Sequence, residues 1–319
     1  MTKIITSLVL LFFTSDASAF FGFGRSVLLA SKVTQSEVVC SSGTGGTITT
    51  DGDYTVHTFT SGSTTFTPAS MSRFIDLLVV AGGGGGGNGG GGGGGGQVKY
   101  MTFIPTGTIN VSVGGGGANG YRTNGSNGGN SIFGSTIAYG GGGGGGDEGG
   151  CNGLSGGTGG GGCWNSGTGG SANYGVYGSS GGAGASGCGM GGGGGAGGPG
   201  KSYDCASGYG KEGGDGYTTS ISGTSKCYGA GGSGGGHNSY YSNQPTTCGR
   251  KTTSNSDWYI CDNPLVGLYF NCYYNTNLQD ANSGAGGQGG HRYYDGSNYI
   301  YQGQPGASGV VVVRYKTCQ

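Results

Sequence analysis

Residues 81–96 consist of Ala81, fourteen glycines and Asn88, and they follow directly on the apolar stretch Phe74-Ile75-Asp76-Leu77-Leu78-Val79-Val80. A segment without side chains can be ordered only through its backbone N–H and C=O groups. Fixing such a backbone costs about 1–2 kcal/mol per residue, more for glycine, and a single isolated run has no apolar burial to offset that. Several runs side by side change the balance, because glycine in the polyproline II conformation directs all its amides outward to neighbours. Further runs occur at 114–117, 140–146, 156–162, 191–195, 229–236 and 284–290. Polyproline II turns once in three residues, so a segment at the rim of a bundle carries a side chain at every third position. That spacing is present in Ala285-Gly-Gly-Gln288-Gly-Gly-His291, Ala230-Gly-Gly-Ser233, Ser155-Gly-Gly-Thr158, Thr168-Gly-Gly-Ser171 and Ala196-Gly-Gly-Pro199. The pattern predicts a bundle of glycine helices hydrogen-bonded to one another, with residues 89–96 near its centre. The alternative is a set of low-complexity loops.

The composition narrows the function. Of 319 residues 88 are glycine and only 6 proline, without a strict triplet, which excludes collagen. Charged residues make up 9%, with 14 basic balancing 14 acidic, so there is no basic stripe to attract nucleic acid. The 32% of hydrophobic residues is concentrated towards the two ends of the chain and suffices for one modest β core.

Residues 1–19 read as a secretory signal: Lys3, an apolar core from Ile4 to Phe13, then Ala17-Ser18-Ala19 ahead of Phe20. A two-part plastid-targeting signal is the competing reading, carried by Ala17-Ser18-Ala19-Phe20 and the Ser, Lys and Arg that follow. Residues 20–45, with Val27-Leu28-Leu29, read as an arm, a pro-piece or a first strand. All ten cysteines lie beyond the cleavage site, at Cys40, Cys151, Cys163, Cys188, Cys205, Cys227, Cys248, Cys261, Cys272 and Cys318. An even count in an exported chain predicts disulfides, with the pairing open. Zinc is disfavoured because no pair has C-x2-C spacing. Asn110 and Asn124 each head an N-glycosylation sequon.

Residues 46–139 read as β-structure. The strand signals are Thr47-Ile48-Thr49, Tyr54 to Phe59, Thr64 to Thr67, the doubly covered run Phe74 to Val80, the alternating stretches Val98 to Ile104 and Thr108 to Val113, and then Ile132-Phe133 and Thr136 to Tyr139. Several lead straight into glycines, which places the glycine runs at one end of a β-sandwich. Residues 310–319 supply the closing strand, Val310-Val311-Val312-Val313-Arg314-Tyr315. Residues 140–309 then form a long glycine-rich, disulfide-linked excursion. Within it, 240–278 is poorer in glycine and rich in aromatics. Tyr240, Tyr241, Trp258, Tyr259, Tyr273 and Tyr274 offer rigid contact area with polar tips, and so a ligand-binding surface. The same rings would equally serve as a local core around the disulfides.

Most familiar motifs are by-products of this composition. Gly195-Ala-Gly-Gly-Pro-Gly200-Lys201-Ser202 matches the phosphate-loop pattern, yet glycines precede it where a buried strand is required and no helix signal follows. The serine-elbow pattern occurs at Ser155, Ser180 and Ser233 without a strand and helix to flank it. Three histidines and one adjacent acidic pair, Asp147-Glu148, give little material for catalysis or a metal. The expectation is no enzyme, no cofactor and no nucleotide.

Four blocks together resemble a known family. Leu77-Leu78-Val79-Val80-Ala81 enters a glycine run, Ile109-Asn110-Val111-Ser112-Val113 precedes four glycines, Gly128-Gly129-Asn130-Ser131-Ile132-Phe133-Gly134 follows, and Ser308-Gly309-Val310-Val311-Val312-Val313-Arg314-Tyr315 closes. They are similar to the glycine-rich domain of phage tail-fibre adhesins and many secreted proteins, over about residues 46 to 236 and 284 to 315. Gly159-Gly-Gly-Gly-Cys163-Trp164-Asn165 more loosely resembles the glycine-rich ectodomain of the anaplastic lymphoma kinase and leukocyte tyrosine kinase receptors. The resemblance implies an all-β fold, a β-sandwich of jelly-roll or TNF-like type with an inserted bundle of polyglycine II helices and disulfide-pinned loops, used for attachment and without catalysis. The ten cysteines and the aromatic module depart from the phage members, and the lack of a transmembrane span or kinase departs from the receptors. Two functions follow. One is a secreted structural or adhesive subunit of an extracellular fibre, coat or matrix, with itself or other extracellular proteins and glycans as partners. The other is a soluble module binding a glycan or protein through the aromatics of 240–278. Ice binding is disfavoured for want of a regular Thr or Ala face.

Overall fold

The structure is a computed structural model that describes residues 42–69, 74–121, 123–148, 150–173, 177–186, 189–203, 211–235, 261–262, 271–272, 281–294 and 299–317. These residues form strands and extended segments, with no α-helix among them. The strands are β1 Thr47–Asp51, β2 Tyr54–Phe59, β3 Gly62–Phe66, β4 Ile75–Val80, β5 Val98–Phe103, β6 Ile109–Val113, β7 Ser131–Phe133, β8 Thr136–Ala138, β9 Tyr217–Thr219, β10 Lys226–Tyr228, β11 Cys261–Asp262, β12 Asn271–Cys272, β13 His291–Tyr294, β14 Tyr299–Gln302 and β15 Val310–Lys316. Five of them pair in the order β1-β2-β15-β4-β5 and four in the order β3-β6-β7-β8, all antiparallel. The last strand sits in the middle of the larger sheet, between β2 and β4.

Period-two alternation decides what each face buries. Leu77, Val79, Val311, Val313 and Tyr315 meet Phe66, Val111 and Phe133 of the smaller sheet in one apolar cluster. On the opposite face of the larger sheet Leu78, Val80, Val310 and Val312 pack under Ile221 and Tyr228. The run Ile75–Val80 is covered on both sides from Leu77 onward, as its near-continuous apolar character predicts, whereas Phe74 stands outside the strand and is 67% exposed. The covering hairpin of β9 and β10 was not legible as such, because Tyr217-Thr218-Thr219 and Lys226-Cys227-Tyr228 are short and embedded in glycine.

His57 is buried in the first cluster's neighbourhood, edge-on to Phe66 and stacked on Tyr315. Its Nδ1 lies 2.7 Å from the Gly45 carbonyl and its Nε2 2.9 Å from the Tyr315 hydroxyl. A carbonyl only accepts, so Nδ1 carries the proton and Nε2 accepts from Tyr315. The Tyr315 hydroxyl in turn accepts the Gly43 amide at 2.9 Å, and this clips residues 43–45 to the sheet.

Residues 81–97 leave β4 and return into β5. The run is a hairpin of two glycine arms rather than one segment, turning at Asn88-Gly89, where Gly89 has φ 54°. Along the first arm the hydrogen-bond partner changes with a period of three. Ala81, Gly84 and Gly87 donate to Gln97, Gly94 and Gly91 of the second arm. Gly82, Gly85 and Asn88 donate to Gly129, Ser126 and Thr123, and Gly83 and Gly86 to Ala307 and Gln304. The carbonyls face three other segments: Gly82 and Gly85 accept from Gly141 and Gly144, Gly83 and Gly86 from Gly117 and Gly120, Gly84 and Gly87 from Gly287 and Gly290. One arm is thus tied to six neighbouring segments. The second arm is enclosed in the same way, bonding to 139–145, 191–194, 284–287, 158–161, 232–235 and the first arm. Every residue from Ala81 to Val98 is buried.

A side-chain ladder completes the packing of 140–146. The Oδ1 atoms of Asn130, Asn127 and Asn124 accept the amides of Gly140, Gly143 and Gly146 at 2.9, 2.9 and 2.8 Å. The Nδ2 atoms of Asn124 and Asn127 donate onward to the carbonyls of Asn152 and Ser155. Asparagine at every third residue of one segment therefore occupies the direction in which a further segment would otherwise lie.

Candidate functional site

The outer face of the five-stranded sheet is covered only in part. Leu78 and Val312, together with Val56 opposite Arg314, pack in one cluster with Ile221 and with Tyr228 of the β9–β10 hairpin. Towards the end away from the glycines the same face carries Asp51, Tyr54, Arg314, Asp76 and Thr102, with Tyr100 on β5 beside Leu78, because these alternate with residues directed to the inter-sheet cluster. They form a polar shelf bordered by aromatic rings.

Arg314 is the centre of this shelf. Its Nη2 lies 3.1 Å from Asp51 Oδ2, and its Cζ stands 4.0 Å from the centroid of the Tyr54 ring. Its Nε is buried without a hydrogen-bond partner, a desolvation cost that the fold carries at this place. Asp76, opposite Arg314 across the β4–β15 pair, accepts the Thr102 hydroxyl at 2.6 Å. At the far edge Tyr100, Tyr217 and Tyr177 make a chain of rings, with centroids 6.5 Å apart for the first pair and 5.2 Å for the second. Tyr177 has φ 63°, a left-handed conformation costly for a residue with a side chain. Tyr54, Tyr100 and Tyr177 remain 37%, 37% and 42% exposed, so their rings are open to solvent.

The tyrosines of the shelf sit beside the charges of Asp51, Arg314 and Asp76. Burial, then the Asp76 carboxylate and Tyr217, push the Tyr100 phenol above its ordinary value against an opposing effect of Arg314. Burial and then Tyr177 do the same for Tyr217. Both phenols stay neutral donors across the physiological range.

The residues singled out in the sequence fall elsewhere. Tyr240, Tyr241, Trp258, Tyr259, Tyr273 and Tyr274 lie outside the described residues, as do Cys40, Cys188, Cys205, Cys248 and Cys318. Cys151 and Cys163 are joined by a disulfide, and Cys227 is disulfide-bonded. The register of β11 and β12 sets Cys261 opposite Cys272. Of the two sequons, Asn110 is exposed on β6, whereas Asn124 belongs to the ladder and its side-chain nitrogen donates to Asn152. The phosphate-loop match has no helix, and the amides of Gly195, Gly197, Gly200 and Lys201 donate to carbonyls. No three His, Cys, Asp or Glu come together as a metal site among the described residues. No helix among them is long and apolar enough to cross a membrane. The shelf itself was missed, because its tyrosines come from β2, β5 and two later segments. The available signal was Arg314 and Asp76, charges set within otherwise apolar strands.

A profile of the family described as glycine-rich domain matches residues 58–316. No curated protein matches the chain.

Proposed function

The chain belongs to the glycine-rich domain family, and on that premise we propose that it is a structural or adhesive protein, a subunit of an extracellular fibre, coat or matrix. The observation that carries this reading is the three-residue exchange of partners along 81–97, which lets segments without side chains brace one another in six directions. In this reading the segments are polyglycine II helices, and the two sheets are a sandwich of jelly-roll or TNF-like type from which the bundle projects. Segments braced throughout by backbone hydrogen bonds bear load without a large apolar core. Residues 1–19 direct the chain out of the cell, and the cysteines pin the loops that leave the bundle. The protein holds no cofactor and performs no catalysis in this role; its partners are further copies of itself or other extracellular proteins and glycans.

Sedimentation velocity of the oxidised, folded protein across a wide concentration range tests this proposal. Concentration-dependent assembly into species larger than the monomer is expected. A single monomeric boundary at every concentration, with no filaments by electron microscopy, would remove the structural role.

A further inference from the structure

We propose that the shelf around Arg314 binds a neutral oligosaccharide. The assignment does not depend on self-association, since the shelf is complete within one chain. Its chemistry selects the ligand class. The guanidinium already faces Asp51 and has Asp76 beside it in register, so Arg314 is not open to hold a phosphate, sulfate or acidic peptide. Asp76 is engaged by Thr102 and so is not an open carboxylate for a quaternary amine. An apolar helix would strip water from the floor of Asp76, Thr102 and Arg314 without replacing its hydrogen bonds. A sugar ring meets both demands. Its C–H face stacks on an exposed phenol, and its hydroxyls both donate and accept, matching a carboxylate, a hydroxyl and a guanidinium in one row.

The dimensions favour a chain of rings over a single one. Tyr54 on β2 and Tyr100 on β5 are separated by three inter-strand steps and by a stagger of four residues, level with Lys316 and Val312 of β15, which together place them about 19 Å apart at the usual strand dimensions. Tyr217, which packs on the outer-face cluster, and Tyr177 add two further rings next to Tyr100. Tyr177 is held against Tyr217 by a backbone conformation that a side chain disfavours, as residues at binding sites often are.

Saturation-transfer NMR on the oxidised, folded chain tests the proposal with cellohexaose, laminarihexaose, maltohexaose and chitohexaose as probes. Transfer to at least one of them is expected, and Tyr100→Ala and Tyr177→Ala should each weaken it roughly tenfold, as truncating an aromatic anchor does. Both side chains are well exposed, so the thermal midpoint should stay unchanged; should Tyr100→Ala unfold, Tyr177→Ala decides alone. Tyr100→Phe keeps the ring and should retain most of the binding. The proposal is overturned if no probe receives saturation, if the wild type takes up a heparin hexasaccharide in preference to all four, or if both tyrosine variants bind unchanged. Loss of binding in Trp258→Ala with Tyr177→Ala unaffected would overturn it as well, by placing the ligand elsewhere.

Discussion

A methyl group at Gly91 has nowhere to go: a Cβ built there overlaps the Gly161 carbonyl oxygen. At Gly115, on the surface of the same bundle, a Cβ meets nothing within 4 Å. Gly91→Ala is therefore expected to lower stability by about 3 kcal/mol or more, the upper range for overpacking a rigid interior, while Gly115→Ala should change it by less than about 0.5 kcal/mol. Chemical denaturation of the two variants checks the contrast, and equal effects would mean that the segments are not in close contact. His57 makes the second prediction at this scale. Burial lowers its pKa from the ordinary value of 6.5 despite the opposing Gly45 hydrogen bond. The unfolded chain then binds a proton more readily than the folded one, so stability is flat above that value and falls as the pH drops below it. The groups facing the ring are Phe66, Tyr315 and the Gly45 carbonyl. Protonation would also turn Nε2 into a donor and leave the Tyr315 hydroxyl without its acceptor. His57→Gln should flatten the pH profile of the urea midpoint between pH 7.5 and 5, as an order-of-magnitude window around the imidazole range.

Among the elements, the Asn ladder shows how a bundle of bare backbones ends. Asn127→Ala leaves the Gly143 amide and the Ser155 carbonyl without partners, and about 1–3 kcal/mol should be lost. Asn127→Asp keeps the acceptor for Gly143 but turns its second acceptor oxygen towards the Ser155 carbonyl, so it should recover only part of that loss; thermal melts of both variants provide the test. The ladder was written in the sequence as Asn124, Asn127 and Asn130, three residues apart, but Asn124-Gly-Ser126 also spells a sequon and that reading masked it. The strands were the most legible elements, since Ile75–Val80 and Val310–Lys316 declare burial on both faces by composition alone. Legibility failed where position along the chain says nothing about position in space. The turn at Asn88 splits a run that reads as uniform, because one asparagine among fourteen glycines carries no periodic signal. The shelf needed the register of four strands before Tyr54, Arg314, Asp76 and Tyr100 could be seen side by side.

For the unit formed by residues 39–319 as a whole, the bundle and the sheets share their hydrogen-bonded segments: β4 becomes the first glycine arm and β5 begins where the second one ends. Opening the arms therefore requires opening the sheet. Amide hydrogen exchange should show residues 82–96 protected to the level of β4 and β15, close to the free energy of global unfolding; exchange at the rate of an unstructured chain would mean that the arms are not held. The strand at 310–316 lies between β2 and β4, and the carbonyls of Gln304 and Ala307 accept from the first arm. A nascent chain still missing these residues has β2 and β4 lying apart and one row of arm amides, those of Gly83 and Gly86, facing water. Translation must therefore run past residue 316 before the sheet can close, and until then the polypeptide lacks the strand that joins its two halves.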